Sequence, residues 1–174
     1  MQALRHLRAI LILPFTAMII IPGVILYLSG PVNVGWPLPI PFNLLPLILG
    51  ITLIVAGLTL IVKTTRLFAT IGQGTLAPWD PPRRFVAQGV YRRVRNPMIS
   101  GVGVVLLGEA LVIGALALLV WFLLFFLLNA IYMPLVEEPD LERRFGESYR
   151  LYKKRVPRWI PRLKPWDEPG DNKH

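Results

Sequence analysis

Residues 97–136 read PMISGVGVVLLGEALVIGALALLVWFLLFFLLNAIYMPLV, and Glu109 is the one charged residue among them. The stretch is roughly twice as long as the ~20 residues that a helix needs to cross a bilayer. Gly108, Glu109 and Gly114 lie near its middle. We therefore predict a hairpin of two membrane helices, one of them shorter than usual.

The N-terminal part of the chain is similarly apolar. No charged residue occurs from Ala9 to Val62, and several prolines between Gly30 and Pro46 divide this region. Because proline interrupts regular helix, the pattern predicts two further spans instead of one. The four predicted spans cover about residues 7–28, 44–68, 97–112 and 115–136.

The composition narrows the class of protein. Hydrophobic residues make up 54% of the 174 residues and charged residues 17%, below the ~25% of a soluble domain. We therefore expect a single all-α integral membrane domain covering residues 1–174. Cysteine is absent, and His6 and His174 stand near the two ends, so the sequence predicts no disulfide and no metal site.

The positions of the basic residues predict an orientation. Arg5 and Arg8 lie at the N-terminal end of the first span, the following loop carries no charge, and ten of the 19 basic residues follow Val136. Cytoplasmic loops are enriched in Lys and Arg, so we expect both termini to be cytoplasmic. Since the net charge of +9 flanks apolar spans, we expect no nucleic-acid partner.

The tail, residues 137–166, contains one further amphipathic pattern. An apolar stripe recurs at four- and three-residue spacing: Leu141, Phe145, Tyr149, Tyr152 and Val156. Basic residues stand between its members. The pattern predicts a C-terminal amphipathic helix on the cytoplasmic face, and one interpretation is that it only contacts anionic headgroups. We expect the last residues, DEPGDNKH, to fray.

Asn96 and Pro97 begin the third predicted span. Asn is a favoured N-cap and Pro a favoured first helical residue, so one interpretation is a helix start and nothing more. The other is that the free N–H groups at this helix end, with Arg92, Arg93 and Arg95 nearby, bind an anionic group. The two interpretations are compatible.

Glu137 and Glu138 follow the most apolar part of the chain directly. Carboxylates at a membrane boundary are costly unless they are solvated or paired. Acidic residues suit the first turn of a helix, which is one interpretation. The other is that one carboxylate points into a polar pocket and binds a cationic or polyhydroxylated ligand.

Two fragments together resemble the isoprenylcysteine carboxyl methyltransferase family: GVYRRVRNPMISG at 89–101 and EEPDLERRFGESYRLYKKRVPRWIP at 137–161. Members carry Gly-x-Tyr-x-x-x-Arg-His-Pro-x-Tyr-x-Gly and then Glu-Glu, Leu, Phe-Gly, Tyr, Tyr and Val-Pro at this spacing. The related phospholipid N-methyltransferases share the Asn-Pro-Met and Glu-Glu-Pro fragments. The resemblance covers about residues 68–161, and GTLAPWDPPRR at 74–84 is similar to bacterial members.

The resemblance implies an S-adenosylmethionine-dependent methyltransferase in a bacterial inner membrane, with membrane lipids and a lipidic or small hydrophobic methyl acceptor as partners. By position it implies cofactor-binding roles for nine residues: Tyr91, Arg95, Asn96, Pro97, Gly101, Glu137, Glu138, Tyr149 and Tyr152. It implies catalytic roles for Arg95, Glu138 and Arg155. Asn96 stands where the family has His, and Ile99 where it has Tyr, so the acceptor class stays open.

Two acceptor classes fit these residues. Alignment of the reactants alone can lower the barrier to methyl transfer by ~7–11 kcal/mol. An acceptor carboxylate is already ionised, and Arg92, Arg95 or Arg155 could hold it. An acceptor amine must lose a proton, for which Glu137 or Glu138 is a candidate base. The alternative of another class is a non-catalytic membrane protein, but the first two spans hold few polar residues for a translocation path.

Overall fold

The computed structural model describes residues 11–30, 34–72 and 85–166, and every regular element in these ranges is helical, as predicted. Helix α1 combines a π-helical segment, Leu11–Ile20, with an α-helical segment, Ile21–Leu28. Helix α2 is Leu44–Leu67, followed by a π-helical turn, Phe68–Gly72. After a 3₁₀ turn, Gly89–Arg92, come α3 (Pro97–Ile113), α4 (Leu116–Tyr132), a π-helical turn (Met133–Glu137) and α5 (Glu138–Arg155).

Some predictions fall outside the described residues. They are the first residues of the predicted first span, 7–10, the GTLAPWDPPRR segment at 74–84 and the C-terminal DEPGDNKH.

Helix α3 is the central helix of the bundle. Its buried side chains, among them Val102, Val105 and Leu106, pack against α1, α2 and α4. The Trp121 indole N–H of α4 donates a hydrogen bond to the Ala17 carbonyl oxygen, 3.0 Å away, and this bond links α1 to α4. The apolar residues on all sides of α3 therefore fill the interior of the bundle.

Glycines set the distance between α2 and α3. A Cβ atom added at Gly57 would lie 2.6 Å from the Gly101 carbonyl oxygen, and one at Gly50 would lie 2.7 Å from the Gly108 carbonyl oxygen. The order of these pairs makes the two helices antiparallel. Small residues allow such close approach of helix backbones in membrane bundles, so both glycine pairs are packing positions.

The turn between α3 and α4 lies at Gly114, which has a left-handed φ of 75°. Glu109, which we placed near this turn, instead lies within α3. Two contacts fasten the loop after α1 to the same end of the bundle: the Gly35 N–H donates to Ile113 (2.8 Å), and the Trp36 indole donates to Leu111 (3.0 Å).

Among the described residues, two continuous helical stretches contain a segment long and apolar enough to cross a membrane: Leu44–Ile71, which is α2 with its π-helical turn, and Leu116–Arg155, which runs from α4 into α5. Only 17% and 11% of the residues in the apolar 18-residue segments of these stretches are buried inside the protein, unlike the core helices of a soluble domain. Outward-facing Leu, Ile and Val side chains cover both. Pro14–Leu28 and Pro97–Ile113 are shorter apolar helices. An apolar surface of this extent suits contact with lipid.

The structure corrects the prediction of one uninterrupted tail helix. Gly146 has φ 57° and ψ −131°, which are not helical values. In a straight helix Glu138 and Lys153 would be about 22 Å apart along the axis, at a rise of ~1.5 Å per residue. Instead the Lys153 Nζ lies 3.1 Å from the Glu138 Oε2. The second arm of α5, residues 147–155, therefore folds back on the first arm, residues 138–145.

The close approach of α2 and α3 predicts opposite effects of the same substitution at two glycines. Gly57→Ala should lower the thermal unfolding temperature in detergent, because the new Cβ would press on backbone and overpacking costs ~1–3 kcal/mol. Gly103→Ala is the control, since its Cβ would meet only a Phe122 ring carbon at 3.7 Å. It should match or exceed the wild type, because Ala favours helix by up to ~1 kcal/mol over Gly. Equal unfolding temperatures in both variants would be inconsistent with this packing.

Candidate functional site

The Glu138 carboxylate lies at the centre of a cluster of three cationic side chains, which we call the Glu138 cluster. Its Oε1 accepts hydrogen bonds from Arg95 Nη1 (2.6 Å) and Arg158 Nε (2.7 Å). The Lys153 ammonium lies 3.1 Å from Oε2 and pairs with Glu142 as well, at 2.7 Å. Glu138 is 2% exposed. The cluster therefore joins the residue before Asn96, the returning arm of α5 and the segment after α5.

The cations keep Glu138 ionised. Burial alone would raise the pKa of the Glu138 carboxyl, but the hydrogen bond from Arg158, the charge of Arg95 and the hydrogen bond from Lys153 outweigh it and lower the pKa. A buried charge is tolerated only when it is paired and hydrogen-bonded. At neutral pH the cluster is thus one carboxylate shared by three cations.

The segment 157–166, which we call the strap, is bound along the loop that precedes α3. The Arg95 N–H donates to the Pro157 carbonyl (2.9 Å), and the Arg162 N–H donates to the Arg93 carbonyl (3.0 Å). The Arg92 Nε–H donates to the Trp166 carbonyl (2.6 Å), and the Trp166 N–H donates to the Arg92 carbonyl (2.8 Å). These bonds, three from backbone N–H groups and one from the Arg92 side chain, fix the strap beside the start of α3 without involving the Glu138 carboxylate.

The predicted apolar stripe of α5 is confirmed as one packed face, but its partner is protein and not lipid headgroups. Tyr149, Tyr152 and Val156 are buried against Ala87 and Trp166. The Phe85 ring lies 5.1 Å from that of Tyr152 and 6.0 Å from that of Tyr149. This aromatic layer holds the returning arm of α5 against the segment 85–91.

The tyrosine hydroxyls of this layer stay protonated. Tyr152 donates a 2.7 Å hydrogen bond to the Tyr91 carbonyl oxygen. Burial, followed by the charge of Glu138, raises the pKa of Tyr149 to about 12, although Arg95 beside it acts in the opposite direction. Both phenols therefore act as neutral hydrogen-bonding groups that position the cluster.

Two buried nitrogen atoms beside the cluster have no hydrogen-bond partner among the described residues: Asn96 Nδ2 and Arg95 Nε. Helix α3 begins at Pro97, as predicted, but the Asn96 side chain makes no capping bond. Its backbone carbonyl accepts the first helical bond, from Ser100 at 3.0 Å. Because unpaired buried donors are rare and costly, the Asn96 amide is a candidate ligand contact.

Glu137 differs from its neighbour. It is half-buried, and no described residue forms an ion pair or hydrogen bond with its carboxylate. Burial, then the charges of Glu138 and Asp140, raise its pKa to about 7. Its charge acts on Tyr91 and Tyr149, which places it on the same side as the cluster. Glu137 is thus a carboxylate that can gain or lose a proton near neutral pH.

The structure brings together most of the residues implied by the resemblance, but not all. Gly101 lies in the α2–α3 contact, where an added Cβ would meet Ile61 at 2.9 Å. The Arg155 side chain is exposed. Its contact with the strap is a hydrogen bond from the Arg162 guanidinium to the Arg155 carbonyl oxygen, 3.0 Å away. Pro97 is buried at the start of α3. Gly101 and Arg155 therefore lie outside the cluster.

Lys153 and Arg158 are cluster residues that the sequence did not single out. They follow Glu138 by fifteen and twenty positions, spacings that have no meaning for a straight helix. Their proximity follows only once the chain reverses at Gly146. The signal in the sequence was that single glycine within an otherwise helical pattern, which is weak on its own.

The ion pairs of Glu138 predict a pH-dependent stability. Since its folded-state pKa lies below its ordinary value of 4.5, the contribution is fully present above that pH and is lost as the pH falls through the folded-state pKa. Glu138→Gln should cost ~3–5 kcal/mol at pH 7 and flatten the acid decline, as measured by thermal unfolding in detergent. Glu147→Gln removes an acid whose side chain is 79% exposed and should cost at most ~1 kcal/mol. Similar losses in the two variants would show that the cluster does not stabilise the fold.

A comparison with protein-family models identifies the group to which the chain belongs. A family model described as phospholipid methyltransferase matches residues 45–148, which is more than half of the 174 residues. The match includes Arg95, Asn96, Glu137 and Glu138. No curated protein matches the chain. The two sequence fragments thus indicated the correct group of membrane methyltransferases, and the chain belongs to the phospholipid methyltransferase family.

Proposed function

We propose that the protein is an S-adenosylmethionine-dependent membrane methyltransferase that methylates a lipidic acceptor. The observation that carries this proposal is the set of polar groups beside the Glu138 cluster. The Asn96 amide and the Glu137 carboxylate are both partly or fully buried and lack partners among the described residues. The family match supports the class of reaction.

The residues present fit the proposed cofactor. The unpaired Asn96 Nδ2 is a hydrogen-bond donor, as a cofactor carboxylate requires. The Glu137 carboxylate is an acceptor suited to an ammonium or to ribose hydroxyls. When bound, S-adenosylmethionine would supply a methyl carbon on a positively charged sulfur: the acceptor lone pair would form the new bond to that carbon, and the electrons of the broken C–S bond would stay on the sulfur.

Glu138 acts as a positioning residue in this proposal. Its Oε1 accepts hydrogen bonds from Arg95 and Arg158. Lys153 lies 3.1 Å from Oε2, which makes no hydrogen bond within the described residues, so the charge of Glu138 is balanced by cations of the chain itself. It holds Arg95, and with it the neighbouring Asn96, against the returning arm of α5. Such fixed placement is the main contribution that a protein makes to a displacement with a good leaving group.

The occupied arginines favour an amine over a carboxylate as the acceptor. Arg95 Nη1 is bound to Glu138, Arg92 Nε is bound to the Trp166 carbonyl, and Arg155 is exposed. Arg95 and Arg92 each already use one guanidinium nitrogen within the chain, which leaves fewer donors for the bidentate grip that an acceptor carboxylate needs. We therefore put a phospholipid amine ahead of a prenylcysteine-type carboxylate.

An amine acceptor requires a base, and Glu137 fits that role. A protonated amine has no lone pair to form the new N–C bond, so one proton must leave it first. A carboxylate with a pKa of about 7 is half ionised at neutral pH and matches the range in which a general base is most effective. Glu137 would take this proton and release it to the cytoplasmic side.

We propose four membrane spans, α1 to α4, with the site at the cytoplasmic end. The exposed apolar surfaces of α2 and α4 and the concentration of Lys and Arg around the site support this arrangement. A lipid acceptor could then reach the site laterally, with its acyl chains remaining in the bilayer.

Asn96→Ala separates cofactor binding from folding. Because the Asn96 side chain makes no hydrogen bond to the described residues, its loss should leave the unfolding temperature of the free protein unchanged. A ligand that binds only the folded state raises that temperature, so we expect wild-type protein to be stabilised by S-adenosylmethionine and the variant to lose most of this increase. The same increase in unfolding temperature in both proteins would show that the Asn96 side chain does not contact the cofactor.

The function itself is tested by incubating purified protein with methyl-labelled S-adenosylmethionine and a lipid extract. We expect label in a lipid product that resists base, as an N-methyl group does and a methyl ester does not. The rate should rise with pH through about 7 as Glu137 ionises.

Glu137→Gln should slow this transfer by a factor of ~10²–10⁴ and abolish the rise near pH 7, whereas Glu147→Gln should behave as the wild type. A base-labile product would point to a carboxylate acceptor. No transfer and no cofactor-dependent stabilisation would contradict the proposed function.

A further inference from the structure

The strap presents an apolar surface of its own. Ile160 is 80% exposed and Leu163 is 93% exposed, although the backbone around them is fixed. Arg162 N–H and Trp166 N–H donate to the loop before α3, at 3.0 and 2.8 Å, on either side of Leu163. Large aliphatic side chains held outward by a fixed backbone are costly in water.

The strap also lies beside the lipid-facing part of α4. The ring of Trp159 is 5.1 Å from that of Phe126. Phe126 lies six residues before Tyr132, the last residue of α4, or ~9 Å from that end along the axis. Leu123 and Leu127, on the same helix, are exposed as well. The apolar surface of α4 therefore continues onto the strap.

Cationic side chains accompany this apolar surface. Arg155 and Lys164 are exposed, and the Arg162 guanidinium donates to the Arg155 carbonyl at 3.0 Å. No acidic residue occurs between Arg155 and Trp166. Exposed aliphatic side chains next to such cations match the boundary between acyl chains and anionic headgroups.

We propose that the strap is a membrane anchor, in which Ile160 and Leu163 insert at the acyl-chain boundary of an anionic bilayer. Arg155, Arg162 and Lys164 then lie against the phosphate groups. The apolar stripe of α5 cannot supply this contact, because it is buried in the aromatic layer. Anchoring would keep the strap, and with it Arg158 of the Glu138 cluster, at a fixed height on the membrane. The inference does not depend on methyl transfer.

The absence of cysteine from the chain allows a direct test with single labels. Leu163→Cys carries an environment-sensitive fluorophore in full-length protein reconstituted into vesicles of phosphatidylcholine mixed with phosphatidylglycerol. Glu147→Cys, at a side chain that is 79% exposed beside the Gly146 turn, is the matched control. Ile160→Cys repeats the measurement at a second strap position.

We expect the labels at 163 and 160 to shift to shorter wavelength, to be quenched by lipids with a nitroxide high on the acyl chain and to be protected from aqueous iodide. The label at 147 should show the reverse. Vesicles of phosphatidylcholine alone, or the additional change Lys164→Gln, should reduce the wavelength shift at 163.

Three results would overturn the proposal. Iodide quenching at 163 equal to that at 147 would place the strap in water. Protection from both quenchers would indicate contact with another protein or a second copy. An unchanged wavelength shift at 163 in vesicles without phosphatidylglycerol would show that anionic headgroups do not contribute to the anchoring.

Discussion

The carboxylate of Glu138 joins three parts of the chain that are distant in sequence. Arg95 belongs to the loop before α3, Lys153 to the returning arm of α5 and Arg158 to the strap, and all three lie within 3.1 Å of its oxygens. Without the carboxylate the three cations would repel one another. Removing one member of a buried ionic cluster leaves the others uncompensated, which is far more costly than losing a surface pair.

This constraint gives two adjacent acids different roles. The sequence presents Glu137 and Glu138 as one acidic pair, and the resemblance assigns both to the cofactor. In the structure Glu138 is surrounded by cations, while Glu137 has no partner among the described residues and its pKa is raised to about 7. The pairing of Glu138 contributes to that rise, since its retained charge disfavours ionisation of its neighbour. The charge of the paired Glu138 thus helps to raise the pKa of Glu137, the residue that we propose as the base.

The sequence predicted what depends on local pattern. The apolar runs predicted the helices, Asn96–Pro97 predicted the start of α3, and the spacing of the apolar stripe predicted the buried face of α5. The sequence did not predict the reversal at Gly146, because the stripe keeps its four-residue helical spacing from Phe145 to Tyr149 across the turn. Arg155 was assigned a role through the resemblance, and Arg158 was not considered. The contact of Arg158 with Glu138 depends on a long-range fold-back that periodicity does not encode. The choice of protein over lipid as the partner of the stripe is likewise a tertiary effect.

The central claim is that Glu138 and Arg95 are energetically coupled and that this coupling holds the site together. A double-mutant cycle with Arg95→Met, Glu138→Gln and both together measures it directly, from unfolding free energies in detergent at pH 7. We expect a coupling energy of at least ~1.5 kcal/mol, as for a hydrogen bond between charged groups. A coupling energy within ~0.5 kcal/mol of zero, the value for independent sites, would contradict the account.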